Sequence, residues 1–132
     1  MPNIDTSTDT NAADMIPVLL VVEDEPLLRM LAMDVGEDAG FTVVAAANAD
    51  DAVAILEART DIRVVFTDID MPGSLDGIRL AACIRDRWPP IHIIVTSGHR
   101  KPADGDLPAG SVFFAKPYRQ DRVIEAMRRM AA

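Results

Sequence analysis

Four short stretches carry the side chains best placed to do chemistry: Glu23-Asp24, Asp68, Thr96-Ser97 and Lys116. Three carboxylates brought together repel one another and raise their own pKa values unless a cation joins them. Mg²⁺ suits such a set. It takes hard oxygen ligands, keeps several waters, and commonly uses one or two carboxylates together with a phosphate. A site of this kind makes Asp68 a phosphoryl acceptor, with the metal offsetting charge on the incoming group. Lys116 would contact one phosphoryl oxygen as a point charge and the Thr96 hydroxyl would donate to another. No general base is required, because a carboxylate is already deprotonated at neutral pH.

Each of these residues follows an apolar run. Val18 to Val22 leads into Glu23-Asp24, Arg63 to Thr67 into Asp68, Ile91 to Val95 into Thr96-Ser97, and Ser111 to Ala115 into Lys116-Pro117. Short, β-favouring runs closed by acids, hydroxyls and turn residues read as strands buried on both faces. In an open α/β sheet, ligands bind at the carboxyl ends of such strands. Phe41 to Ala46 supplies another strand.

Helical periodicity fills the intervals. Pro26 opens a helix to about Ala39, stopped by Gly40, with Leu27, Leu28, Leu31, Ala32 and Val35 expected on its buried face. Asn48, three residues before Asp51, caps a helix to about Arg59. Asp76-Gly77 opens a third through Trp88, its inner face expected at Ile78, Ala81, Ala82 and Ile84. A last helix from about Arg119 to Met130 turns Val123, Ile124, Met127 and Met130 inward. The fourth connection, GHRKPADGDLPAG at 98–110, has two prolines and three glycines and is expected to form at most a turn or two of helix. Strands alternating with helices predict an α/β fold, a doubly wound, five-stranded parallel sheet with right-handed crossovers and a degenerate fourth helix.

The totals fit one domain. The chain has 132 residues, 49% hydrophobic and 26% charged. With 13 basic against 21 acidic residues its formal charge is -8, which disfavours direct binding to nucleic acid or anionic lipid. Cys83, the single cysteine, permits no internal disulfide and reads as a packed helix residue. Neither a signal peptide nor an apolar run long enough to span a membrane is present, so a cytoplasmic setting is expected. Residues 1–16 lack apolar periodicity and are expected to be a disordered leader.

The segments VLLVVEDEP, FTDIDMPG, IIVTSGH and FFAKP, in this order and at these separations, resemble the receiver domain of bacterial two-component response regulators. The resemblance runs from about Pro17 to the end of the chain, assigning 17–132 to a stand-alone receiver. It implies the strand order 2-1-3-4-5. It also implies that Asp68 is the phosphorylated aspartate and that Glu23 and Asp24 are the acidic pair. Asp24 would be the more direct Mg²⁺ ligand, and the Asp70 backbone carbonyl a further one. Thr96 corresponds to the switch hydroxyl, Lys116 to the phosphate-contacting lysine, and Phe113 to the switch aromatic. The Lys116-Pro117 bond is expected to be cis.

The implied function is uptake of a phosphoryl group from a histidine kinase or histidine phosphotransfer protein. A conformational change would then signal to a downstream partner. Catalysis would be confined to the domain's own phosphorylation and dephosphorylation. The 98–110 segment is expected to reorder on activation, with Phe113 changing its exposure. Three departures from the family pattern stand out: a 71–77 loop one residue longer than the common form, Ser97 in place of alanine or glycine, and the poor fourth helix. Two other readings compete: a pseudo-receiver that binds without being phosphorylated, and a small haloacid-dehalogenase-like phosphatase in which Asp68 and Asp70 would be the paired aspartates. The latter family places its nucleophile strand first, whereas here the acid pair precedes it.

Overall fold

The computed structural model describes residues 16–70, 76–99, 101–103 and 105–132. Nearly all of the expected leader and residues 71–75 of the long loop lie outside these. Five strands form: β1 (Val18–Val22), β2 (Thr42–Ala46), β3 (Ile62–Asp68), β4 (His92–Ser97) and β5 (Val112–Ala115). They pair in parallel in the order β2-β1-β3-β4-β5, the order the resemblance implied. All five residues of β1 are buried, as a central strand covered on both faces requires.

Four helices supply that cover: α1 (Pro26–Asp38), α2 (Ala49–Ala58), α3 (Gly77–Arg87) and α4 (Gln120–Ala131). On one face, Ala49, Ala52 and Leu56 of α2 join Leu80, Ala81 and Ile84 of α3 against alternate strand residues. On the other, Ala32 and Val35 of α1 join Val123, Ala126 and Met127 of α4. Side-chain caps fix where two helices start. Asn48 Oδ1 accepts from the Asp51 N–H at 2.7 Å, and Asp76 Oδ1 from the Arg79 N–H at 2.9 Å. Gly40, at φ 98°, ends α1 as expected.

Two buried stripes differ from the sequence reading. In α1, Ala32, Val35 and Gly36 are buried, but Leu27, Leu28 and Leu31 are exposed, Leu27 by 62%. Leu28 and Leu31 border a cavity that Val21, Phe66 and Tyr118 also line, so part of the expected buried face meets open space instead of packed side chains. In α3 the inward residues are Gly77, Leu80, Ala81 and Ile84, Ile78 is partly buried, and Ala82 is exposed. Gly77 sets this rotation: a Cβ there would collide with the Asp68 carbonyl and Ile69 Cα, so its bare face lies directly on the end of β3.

Between β4 and β5 no helix forms among the described residues. Two turns take its place. The Asp106 N–H donates to the Ala103 carbonyl at 3.0 Å with Gly105 at φ 88°, and the Ser111 N–H to the Pro108 carbonyl at 3.1 Å with Gly110 at φ 87°. A glycine of positive φ in third place is the pattern of a type II turn, which a helix cannot absorb. Leu107 and Phe113 pack against the α2–α3 side of the core, where a fourth crossover helix would otherwise lie.

Candidate functional site

Parallel register brings the strand ends to one edge: Val22 lies beside Thr67, Asp68 beside Thr96, and Ser97 beside Ala115. Glu23 continues the ladder by donating its N–H to the Ala46 carbonyl at 3.1 Å. Its side chain is buried, and both carboxylate oxygens are occupied. Oε2 accepts from the Glu25 N–H at 3.1 Å and Oε1 from Lys116 Nζ at 3.1 Å. Asp24 is exposed, and a carboxylate oxygen of it lies near those of Glu23 and Asp68.

Asp68 is 6% exposed and likewise held at both oxygens. Oδ2 accepts from Lys116 Nζ at 2.9 Å, and Oδ1 from the Asp70 N–H at 3.0 Å. Lys116 therefore bridges Glu23 and Asp68. Its backbone N–H donates to the Ser97 carbonyl at 2.9 Å, and its bond to Pro117 is cis, as expected. Thr96 is buried beside Asp68.

The electrostatics follow from this burial. Loss of solvent pushes the Glu23 carboxyl up, and the Asp68 charge adds to the effect; the Glu25 N–H and Lys116 offset only part of it. Burial works to lower Lys116, but its bonds to Asp68 and Glu23 prevail and hold the ammonium above its usual value. Ligand oxygens of Glu23, Asp24 and Asp68 all lie within 4.8 Å of one another, the one such acidic group among the described residues. Three carboxylates facing one ammonium leave an excess of negative charge, and all the donors are hard oxygens. The set fits a divalent cation of the Mg²⁺ type.

A cavity of about 360 Å³ opens from this cluster. Asp68, Thr96 and Lys116 line its polar end, and Leu28, Leu31 and Tyr118 its apolar wall. The Tyr118 ring meets Phe66 edge-on at 5.7 Å.

The structure thus brings together Glu23, Asp24, Asp68, Thr96 and Lys116, with Asp70 adjoining. Phe113 packs instead with Leu107 against the α2–α3 core, in register with Val95. Under the receiver reading Asp70 had only a backbone role, and the bond its side chain accepts from Ser97 Oγ at 2.7 Å was missed. A hydroxyl directly after Thr96 on β4 and an acid two residues past the end of neighbouring β3 were the available signal. The Tyr118 wall of the cavity was also missed, since nothing in the spacing distinguishes that tyrosine from a helix-start residue.

The response regulator receiver domain family matches residues 19–128. The nitrogen assimilation regulatory protein NtrX of Azorhizobium caulinodans is 34% identical over 110 residues, 80% of this chain and 24% of that protein. The chain thus spans about a quarter of the length of such curated relatives. The NtrX receiver domain of Brucella abortus superposes with a TM-score of 0.76 at 34% identity, covering 86% of this chain and 97% of that one. The response regulator TrrA of Thermotoga maritima, crystallised in complex with Mg(2+)-BeF, superposes with a TM-score of 0.79 at 25% identity, covering 87% and 99%. With the family matched over most of its length and the sheet order reproduced, the chain belongs to the response regulator receiver domains.

Proposed function

We propose that this chain takes a phosphoryl group onto Asp68 from a histidine kinase or a histidine phosphotransfer protein, in the cytoplasm and with Mg²⁺ in the acid pocket. The change would be passed to a downstream protein through a conformational switch. The observation that carries this reading is the Lys116 ammonium held between Asp68 and Glu23, at 2.9 and 3.1 Å, at the mouth of an acidic cluster. Asp24, Asp68 and the Asp70 carbonyl are the groups that would hold the metal, with Glu23 behind them. Bound there, Mg²⁺ would supply positive charge to offset that of the carboxylates and of the incoming phosphoryl group.

In the transfer, a carboxylate oxygen of Asp68 forms the new bond to phosphorus as the bond from phosphorus to the donor imidazole breaks. The electron pair of that bond stays on the imidazole nitrogen. Lys116 follows the developing negative charge and Thr96 donates to it. Phe113 is assigned the switch position on resemblance, and it packs against the same α2–α3 core cluster as Leu107 of the 98–110 connection. Support for a helical phosphodonor comes from Leu27, Leu28, Met30 and Leu31, an exposed apolar patch of which Leu28 and Leu31 line the same cavity as Asp68. No helix among the described residues is long and apolar enough to cross a membrane.

The phosphatase reading is disfavoured by Asp70. Its carboxylate accepts from Ser97 and its N–H holds Asp68, so it is engaged as a support rather than aimed as an acid at a leaving group. Intact mass after incubation with Mg²⁺ and acetyl phosphate is the test. The expected result is one added phosphoryl group, abolished by Asp68→Asn and by excess EDTA. Equal labelling of the variant would place the acceptor elsewhere. An unlabelled wild type would favour the pseudo-receiver, and turnover of a generic phosphoester the phosphatase.

A further inference from the structure

Ser97 stands where the family pattern has a residue without a hydroxyl, and its hydroxyl joins two things that the transfer step does not connect. On one side it donates to Asp70 Oδ2 at 2.7 Å, while the Asp70 N–H donates to Asp68 Oδ1 at 3.0 Å. On the other it accepts from the His99 N–H at 3.3 Å, the second residue of the helix-free connection. A line of three hydrogen bonds, joined through Asp70, therefore runs from the Asp68 carboxylate to the backbone of that connection. Ser97 is 3% exposed, so water does not readily replace its partners.

A hydroxyl has a single proton to give. Here it goes to a carboxylate, a charge-assisted and hence stronger bond, and it is not directed at the phosphoryl position. The far end of the line is the atom group that phosphorylation changes. As a carboxylate, Asp68 accepts the Asp70 N–H with a full charge shared over its oxygens; as an acyl phosphate, its carboxyl oxygens lose that charge and accept more weakly. The Asp70 peptide is then less firmly held, and the acid it carries shifts against Ser97.

We infer that Ser97 is a positioning residue that couples the state of Asp68 to the backbone at His99 by way of Asp70, a route separate from the Thr96 hydroxyl. This rests on Asp68 being the phosphoacceptor. Amide hydrogen exchange at His99, measured on the full chain with and without Mg²⁺ and beryllofluoride, tests it, with uptake of the mimic followed by fluorine NMR. In the wild type the mimic should speed exchange at His99 by about fivefold, the effect of losing one modest hydrogen bond. Ser97→Ala should exchange about that much faster without the mimic and should not respond to it, and Ser97→Thr should restore both behaviours. Asp70→Ala, which removes the acceptor instead of the donor, should uncouple in the same way. A Ser97→Ala protein that takes up beryllofluoride and still shows the wild-type response at His99 overturns the inference. A wild type that binds no mimic and accepts no phosphoryl group overturns the phosphoacceptor reading first, a distinct result.

Discussion

The β3-to-β4 and β4-to-β5 connections leave the same edge of the sheet from neighbouring strands, yet they are built in opposite ways. The first contains α3, with an Asp76 side-chain cap and Gly77, Leu80, Ala81 and Ile84 buried. The second has two glycine turns and, among its described residues, sends only Leu107, partly buried, to the core. Both nevertheless deliver a side chain of the candidate site to the acid pocket: Asp68 precedes the first and Lys116 follows the second. The position of a strand-end residue is thus set by the parallel ladder rather than by the connection attached to it. The connection decides how much free energy it takes to move what lies next to the site.

The sharpest way to break this comparison is to truncate one apolar side chain in each. Leu80→Ala empties a fully buried position and should cost about 2–5 kcal/mol in urea unfolding. Leu107→Ala should cost only about 1 kcal/mol or less, because that side chain is already partly in water. Equal losses would mean that the helix-free connection is as firmly packed as α3.

Gly77→Ala is expected to cost roughly 1–3 kcal/mol, since the added Cβ has backbone and not a flexible side chain in its way. Because that backbone belongs to Asp68 and Ile69, phosphoryl labelling by acetyl phosphate should slow as well. Gly110→Ala meets no backbone of this kind, but it must hold φ near 87° with a side chain, at roughly 1–2 kcal/mol. Its labelling rate should stay at the wild-type value, which separates the two connections by a measurement other than stability.

The smallest effects are expected in pH profiles without divalent cation. Lys116 is raised above its usual value of 10.5 in the fold, so its stabilising contribution is complete below the unfolded pKa and is lost as pH rises through the folded one. Thermal stability of the wild type should therefore fall in the alkaline range above about 10.5, and a Lys116→Met variant should lose that dependence. Glu23 is raised from 4.5 by burial, so the fold binds its proton more tightly than the unfolded chain and stability rises on acidification toward that value. The variant should show this rise more strongly, since one of the groups that lowers Glu23 is gone. A Lys116→Met profile identical to wild type at both ends of the range would show the bridge to be too solvated to matter.

What could be read from the sequence follows the same division. Strand ends were legible because an apolar run that stops at an acid, a hydroxyl or a lysine has few alternatives, and β1, β3 and β4 stop within a residue or two of where the sequence puts them. The cap at Asn48 was legible for a similar local reason. Periodicity in α1 identified the direction of an apolar stripe, but not that a cavity borders Leu28 and Leu31 or that Leu27 is exposed. In α3 the rotation depends on a contact between Gly77 and the end of β3, which no pattern within the helix encodes. The bond from Ser97 to Asp70 depends on register between two strands, and register is a tertiary fact even when both strands are recognised.

The pair of glycine turns after β4 has a practical side. Exposed turn tips with positive-φ glycines, flanking a partly buried leucine, are the sort of place where foreign chain can be spliced in at small cost. Each doubling of a flexible loop adds only about 0.6 kcal/mol of closure entropy. A circularly permuted fluorescent protein or a short dye-labelled peptide inserted between Gly105 and Asp106 would leave the ladder that carries Asp68, Thr96 and Lys116 intact. Seated there, the insert becomes an optical readout of the pocket, built into the chain at the one crossover that has no helix to break.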